Sequence, residues 1–234
     1  ILNIKNIYPN YFIDVLKKKR IKNKDKHVRN FYFDKNDINK LNYDFVFICS
    51  NTNTHFLYLN LFSDTKAKVF VEKPILNKND EIKKTRNFRH SFKKNVTVGY
   101  VLRFHPIIIK LKKLIDMNSI GKIVDIEFSS SSYVKFWNIK SKRLSYLDFK
   151  KGGGAINELS HEIDLVIYLF GSLKIIKVFN IKKIFESNVE EGYKLFGKVK
   201  SQAKIFLNIN FNCVEERRVL IIKGENGQLI INLL

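Results

Sequence analysis

Apolar positions follow two regimes along the chain. From residue 44 to 102, short continuous apolar runs alternate with polar or amphipathic stretches. The runs at 44–49 (Asp44-Phe-Val-Phe-Ile-Cys49) and 68–71 (Lys68-Val-Phe-Val71) have the pattern of parallel strands buried on both faces. A short strand at 12–16, helices at 37–41, 55–62 and 79–92, and a strand at 96–102 complete the alternation. Such alternation specifies an α/β layer with a parallel sheet. Beyond residue 103 the order changes. A helix at 106–116, a long strand at 122–133 and a strong helix at 156–170 precede strands at 174–185, 193–199, 203–212, 217–223 and 228–233. Successive strands without helices specify a mainly antiparallel sheet in an α+β unit. In the helix at 156–170, Ile156, Leu159, Ile163, Val166 and Phe170 share one stripe, the expected core face. Glu158, His161 and Leu165 share another face.

Composition narrows the class. The 234 residues are 45% hydrophobic and 28% charged, which is ordinary for a folded globular chain. No apolar run approaches the ~18 residues of a membrane span. Cys49 and Cys213 are too few for a disulfide framework or a cysteine zinc site, so a reducing, cytoplasmic setting is expected. The balance of 43 Lys+Arg against 22 Asp+Glu gives +21, which invites a nucleic-acid partner. The lysines are scattered, however, and alanine occurs at Ala67, Ala155 and Ala203 alone, a bias that writes surfaces in lysine. No nucleic-acid or membrane partner is expected. The chain opens at Ile1 inside an apolar pattern and ends inside a strand-like run, so it reads as a piece of a longer protein.

In an open parallel sheet, ligands bind beyond the carboxyl ends of the strands. Two such ends are unusually polar. Cys49-Ser-Asn-Thr-Asn-Thr-His55 offers hydroxyls, amides and free N–H groups to a phosphate or sugar edge. The same loop also reads as a plain strand–helix connection with Thr54 as N-cap. Val71-Glu-Lys-Pro74 places an ion-pair-capable dipeptide after a buried strand, where Pro74 can fix a tight turn that aims Lys73 into the crevice. A third feature is Gly152-Gly-Gly154, which permits close approach just before the helix that carries Glu158 and His161. A carboxylate one turn from an imidazole would tune a proton acceptor near neutrality. His27, His90 and His105 share no metal-ligand spacing, and GxSxG, HExxH, P-loop and early GxGxxG patterns are all absent from the sequence.

Taken in order, these segments resemble the glucose–fructose oxidoreductase, inositol dehydrogenase and rhizopine-catabolism family (Gfo/Idh/MocA). The resemblance rests on Phe45-Val-Phe-Ile-Cys-Ser-Asn-Thr-Asn-Thr-His55, Val69-Phe-Val-Glu-Lys-Pro74, Gly99-Tyr-Val-Leu-Arg-Phe-His-Pro106 and Ile120-Gly-Lys-Ile123. It continues through Trp137, Tyr146, Gly152-Gly-Gly-Ala-Ile-Asn-Glu-Leu-Ser-His-Glu-Ile-Asp164 and Leu169-Phe-Gly171. The wording around His161 is similar to members that act in surface-sugar biosynthesis.

The resemblance implies a partial NAD(P)-binding Rossmann domain over 1–103, without its first strand and glycine loop. It implies an α+β substrate and oligomerisation domain over 104–234, whose open sheet faces another subunit. It implies hydride transfer to or from a sugar or nucleotide-sugar hydroxyl carbon, with a non-catalytic binding protein of the same fold as the alternative. By resemblance Lys73, His161 and Glu158 are catalytic. Ser50, Asn51, His55, Glu72, Lys73, Pro74, Arg103 and Trp137 lie along the cofactor, and no metal is involved. The partner of His161 is Glu158 or Asn157, with the charge of Glu158 in its favour. The basic run at 17–20 follows the strand that carries the ribose-reading residue, and leans the choice between NAD and NADP towards NADP.

Overall fold

The computed structural model describes residues 14–16, 30–32, 34–38, 43–137 and 145–234. Strands β1 (Asp14–Leu16) and β2 (Asn30–Tyr32) form a parallel pair. Strands β3 (Phe45–Ile48), β4 (Lys68–Val71) and β5 (Val96–Val98) form a parallel sheet in that order. Helix α1 (His55–Phe62) links β3 to β4, and α2 (Asn79–Lys84) with α3 (His90–Asn95) links β4 to β5. Ile48, Val69 and Val71 pack on Leu59 and Phe62 of α1 and Phe92 of α3.

The apolar run of β3 is not enclosed on both faces. Phe45 and Phe47 are 48% and 56% exposed. Among the described residues, the helices cover the face of Val46 and Ile48, while Phe47 lies against Phe70 on the other side. Three further expectations change. The helix expected over 79–92 is interrupted at Phe88, which turns extended and packs its ring on Phe56 and Phe92. Thr85 also donates its hydroxyl to the Ile82 carbonyl, a local bond that competes with helix propagation. Of the helix expected over 37–41, residues 39–41 lie outside the described residues; Lys35–Asp37 form a 3-10 turn capped by Asp34, with Ile38 extended. The strand expected over 96–102 stops at Val98, and a 3-10 turn occupies Val101–Phe104.

The second half contains α4 (Pro106–Asp116), β6 (Ile123–Tyr133), α5 (Ala155–Glu158), α6 (Ser160–Phe170) and β7 (Leu173–Asn180). Strands β8 (Gly192–Val199), β9 (Lys204–Asn210), β10 (Asn212–Gly224) and β11 (Gly227–Asn232) follow. Their sheet has the order β11-β10-β6-β9-β8-β7. The β6–β9 pair is parallel and the other neighbours are antiparallel. Ile108 and Leu111 of α4 pack with Leu165, Val166 and Leu169 of α6 on one face of this sheet. The fold is thus a parallel sheet followed by a mainly antiparallel one, as expected. The strand expected to reach Phe185 ends at Asn180, and the one expected to start at 217 starts at Asn212 with a register shift before Arg217.

The helix expected over 156–170 is two helices. Leu159, with φ −100° and ψ 28°, separates them. The Glu158 carbonyl accepts a hydrogen bond from Lys73 Nζ at 2.7 Å, and the Glu162 N–H turns to the Leu159 carbonyl instead. The break shifts the phase of α6. Its buried residues are Ser160, Glu162, Asp164, Leu165, Val166 and Leu169, whereas Ile163 and Phe170 are only half-buried. Of the expected core stripe, Leu159 and Val166 are enclosed while Ile156, Ile163 and Phe170 are half-buried, and Leu165, expected on another face, joins the core. Leu165→Ala should cost about 2–5 kcal/mol of stability, and Ile163→Ala clearly less, measured by urea denaturation.

Candidate active site

The carboxyl ends of β3, β4 and β5 lead into Ser50, Glu72-Lys73 and Gly99-Tyr100, and α5 and α6 stand against them. Lys73 Nζ donates to Glu158 twice, to its carbonyl at 2.7 Å and to its carboxylate at 3.2 Å. The triple glycine makes the close approach possible. At Gly152, with φ +85°, a Cβ would lie 2.7 Å from the Thr52 side chain. At Gly154, with φ +124°, it would lie 2.5 Å from Glu190 Oε1, the oxygen that accepts the Ile156 N–H at 3.1 Å. Asn157 donates its amide to the Gly152 and Gly153 carbonyls and so holds the turn shut.

Neither residue proposed as partner of His161 serves it. Glu158 is engaged by Lys73, Asn157 by the glycine turn, and His161 Nδ1 is buried without a hydrogen-bond partner. The expectation of a carboxylate-tuned imidazole near neutrality is corrected accordingly. His161 is pushed down from 6.5 to about 4, first by burial, then by the cations of Lys73 and Arg218, with Asp164 opposing. The ring is neutral at physiological pH and meets the edge of Tyr100 at 5.7 Å.

Helix α6 is anchored by two arginines, one from each side of the site. Arg103 grips Asp164 through Nε and a terminal nitrogen, and its guanidinium lies 5.2 Å from the Tyr168 ring centre. Arg218 of β10 donates Nε to Glu162 Oε1 at 3.0 Å, and Ser130 of β6 donates to the same oxygen at 2.8 Å. Glu162 is fully enclosed, and burial pushes its carboxyl upward. Sequence reasoning gave no role to Glu162, Arg218, Ser130 or Tyr100. The available signal was a carboxylate on α6 in line with Leu165 and Leu169, a position where a charge requires a partner.

The residues expected along a cofactor divide. Ser50 and Asn51 are exposed at the end of β3. Ser50 Oγ lies 2.7 Å from Thr54 Oγ1, and Thr54 takes the N-cap position while its hydroxyl donates to the Asn51 carbonyl. His55, by contrast, is enclosed, with Nδ1 and Nε2 each 2.9 Å from a backbone carbonyl, those of Pro74 and Ser50. Its ring ties the two loops together and leaves no face for a ligand. Glu72 is half-buried at the end of β4, and the Lys73–Pro74 peptide is cis. Arg103 is committed to Asp164. Trp137 packs on Tyr146 and Phe211 and lines a cavity of about 270 Å³ with Lys73, Glu158 and Ser130–132. The basic run at 17–20 lies outside the described residues. Among the described residues no group of three or more His, Cys, Asp and Glu could hold a metal ion.

Residues 108–230 match the profile of the GFO/IDH/MocA C-terminal domain. The chain belongs to the Gfo/Idh/MocA family. It is 27% identical over 188 residues to oxidoreductase P35 of Formosa agariphila, covering 79% of this chain and 58% of that protein. The chain thus spans little more than half of that relative's length. Its fold resembles levoglucosan dehydrogenase, solved with NADH and levoglucosan, at a TM-score of 0.73 and 19% identity, covering 88% of this chain and 58% of that one. It resembles the WlbA dehydrogenase of Chromobacterium violaceum, solved with NADH and UDP-GlcNAcA, at a TM-score of 0.81 and 17% identity, covering 97% and 68%.

Two outcomes follow from this geometry. His55→Ala removes the ring that meets the buried Pro74 carbonyl and leaves a void, so it should lower stability by about 2–5 kcal/mol in urea denaturation. Because the folded pKa of His161 lies below its unfolded value, its contribution is intact above pH 6.5 and is lost as pH falls towards about 4. Replacing His161 by Gln should flatten that part of the stability–pH curve, measured by denaturation at pH values across this window.

Proposed function

We propose that the protein is an NAD(P)-dependent oxidoreductase that moves hydride to or from a hydroxyl-bearing carbon of a sugar or nucleotide sugar. The observation that carries this reading is Lys73 in the wall of a cavity shared with serines, Glu158 and Trp137, its charge felt by a neutral His161 whose Nδ1 is buried without a partner. Hydroxyl and carboxylate donors and acceptors around one aromatic face suit a polyol. Family membership supports the same reading. The site fits a nicotinamide: three strand ends converge there, and the orphaned imidazole nitrogen awaits a polar partner.

A bound dinucleotide supplies the hydride acceptor or donor. The chain's own groups do the rest. Lys73 has three N–H donors and spends two on Glu158, so one remains to hold the reacting oxygen and stabilise its negative charge. His161, neutral and desolvated, takes the hydroxyl proton or returns it. Glu158 orients Lys73. Ser50, Asn51, Glu72 and Pro74 line the cofactor side, while His55 and Arg103 position that loop and α6. Residues 1–103 serve the cofactor and 104–234 the substrate.

The basic run at 17–20 suits a 2′-phosphate and favours NADP. The likeness to surface-sugar enzymes favours a role in surface-polysaccharide synthesis in the cytoplasm. The open face of the second sheet exposes Phe179, Phe206 and Ile230, apolar positions suited to a second copy of the chain. No helix among the described residues is long and apolar enough to cross a membrane.

General-base removal costs ~10²–10⁴-fold in rate. His161→Ala should lower kcat by that factor with NAD(P) affinity near normal, followed by NAD(P)H absorbance and by cofactor titration. Lys73→Ala should lower kcat and also weaken substrate. Near-normal turnover in both variants overturns the catalytic assignment. Ligand binding without hydride transfer from any sugar would favour a non-catalytic binding protein.

A further inference from the structure

Helix α5 is a single turn of 4 residues, too short for its own hydrogen bonds to fix its place. At about 1.5 Å per residue it spans roughly 6 Å, so its two ends decide where it lies. The carbonyl end is held by Lys73, through the carbonyl and the carboxylate of Glu158. The N–H end is held by Glu190, to which sequence reasoning gave no role. The Ala155 N–H donates to the Glu190 carbonyl and the Ile156 N–H to Glu190 Oε1, each at 3.1 Å. Gly154 stands at the N-cap with no side chain of its own to offer, and a Cβ there would lie 2.5 Å from the same oxygen. Glu190 is itself firmly placed. Its neighbours Val189 and Glu191 are buried, and Val189 packs in one cluster with Ala155. Glu191 takes the Ile184 and Phe185 N–H groups at 2.7 and 2.8 Å. One helical turn thus carries a carboxylate at its N–H end and an ammonium at its carbonyl end, the order that its peptide dipoles favour.

Resting on the oxidoreductase reading, we propose that Glu190 is a positioning residue for Lys73. It does not line the cavity and acts through α5. By fixing the N–H end of that turn it fixes the Glu158 carbonyl and carboxylate, to which two of the three ammonium donors of Lys73 are committed. The heading of the third donor, the one that holds the reacting oxygen, follows from the other two. Reach therefore matters more than charge at position 190. Glutamine keeps an acceptor oxygen at the same distance from the backbone. Aspartate keeps the charge but is one methylene shorter, and falls short of the Ile156 N–H. A role through charge alone would reverse the order of these two substitutions.

The test reads Lys73 both without and with turnover. The Lys73 side chain is 18% exposed, within reach of a small reagent. Labelling with acetic anhydride, resolved by peptide mass spectrometry, reports how firmly its amine is held. Lys223, ion-paired with Asp125 and Glu127 on the second sheet, is the internal reference. Glu190→Ala and Glu190→Asp should raise Lys73 labelling over that reference, and Glu190→Gln should keep it near native. Misplacing a reacting group by about 1 Å can cost ~10²-fold in rate. The kcat for sugar oxidation, followed by NAD(P)H absorbance, should accordingly fall about 10–100-fold in Glu190→Ala and Glu190→Asp and largely recover in Glu190→Gln. In a Lys73→Ala background, Glu190→Ala should lower kcat no further, because residues that act through one another are not additive. If Glu190→Ala fails to fold, Lys223 labelling rises with it, and the contrast of aspartate with glutamine carries the test. Unchanged Lys73 labelling in the shortened variants overturns the proposal. So does raised labelling with kcat untouched, or a loss of kcat that persists in the Lys73→Ala background. The two readings fail separately. A wild-type protein that transfers hydride from no sugar removes the oxidoreductase reading, and Lys73 labelling alone then decides whether Glu190 positions the ammonium.

Discussion

The reach of Lys73 across to Glu158 is the contact on which the site depends. It joins residues 85 apart in sequence, one at the end of a parallel strand and one in a single-turn helix. A charged donor on a partly enclosed carbonyl is roughly twice as strong as a neutral pair. It also removes that carbonyl from the helix ladder. The interruption at Leu159 follows, and with it the rotation of α6 that puts Leu165 in the core, Glu162 against β10 and His161 beside Tyr100.

Once α6 has that rotation, its carboxylates have one place each to go. Asp164 meets Arg103 from the first half, and Glu162 meets Arg218 and Ser130 from the second sheet. Each pair is costly to break, because a lone enclosed charge remains. Together they hold the helix from both sides. Burial first, and then the cations of Lys73 and Arg218, keep His161 uncharged, so Arg218 both anchors α6 and depresses the imidazole.

Much of the architecture was legible because it is written locally. The buried run at 68–71, the helix at 55–62 and the helix at 106–116 coincide with observed elements to the residue, since periodicity and flanking turn residues decide them. What escaped is what depends on distant partners. A continuous helix over 156–170 is the correct local reading, and only a lysine from another strand breaks it. The enclosure of His55 is set by two carbonyls that no pattern announces. The exposure of Phe45 and Phe47 reflects which face of β3 the helices cover, and the apolar run itself carries no mark of that. Lys73, Glu158 and His161 were all found near one another, but the pairing among them was not.

The break at Leu159 links two orientations that would otherwise be independent. Successive residues of a continuous α-helix are turned by about 100°. With the Glu158 carbonyl held by Lys73 Nζ at 2.7 Å, the ladder does not run through Leu159, and α6 begins at Ser160 in a phase of its own. The heading of the His161 ring is therefore a downstream consequence of one ammonium placed 85 residues before Glu158 in the chain.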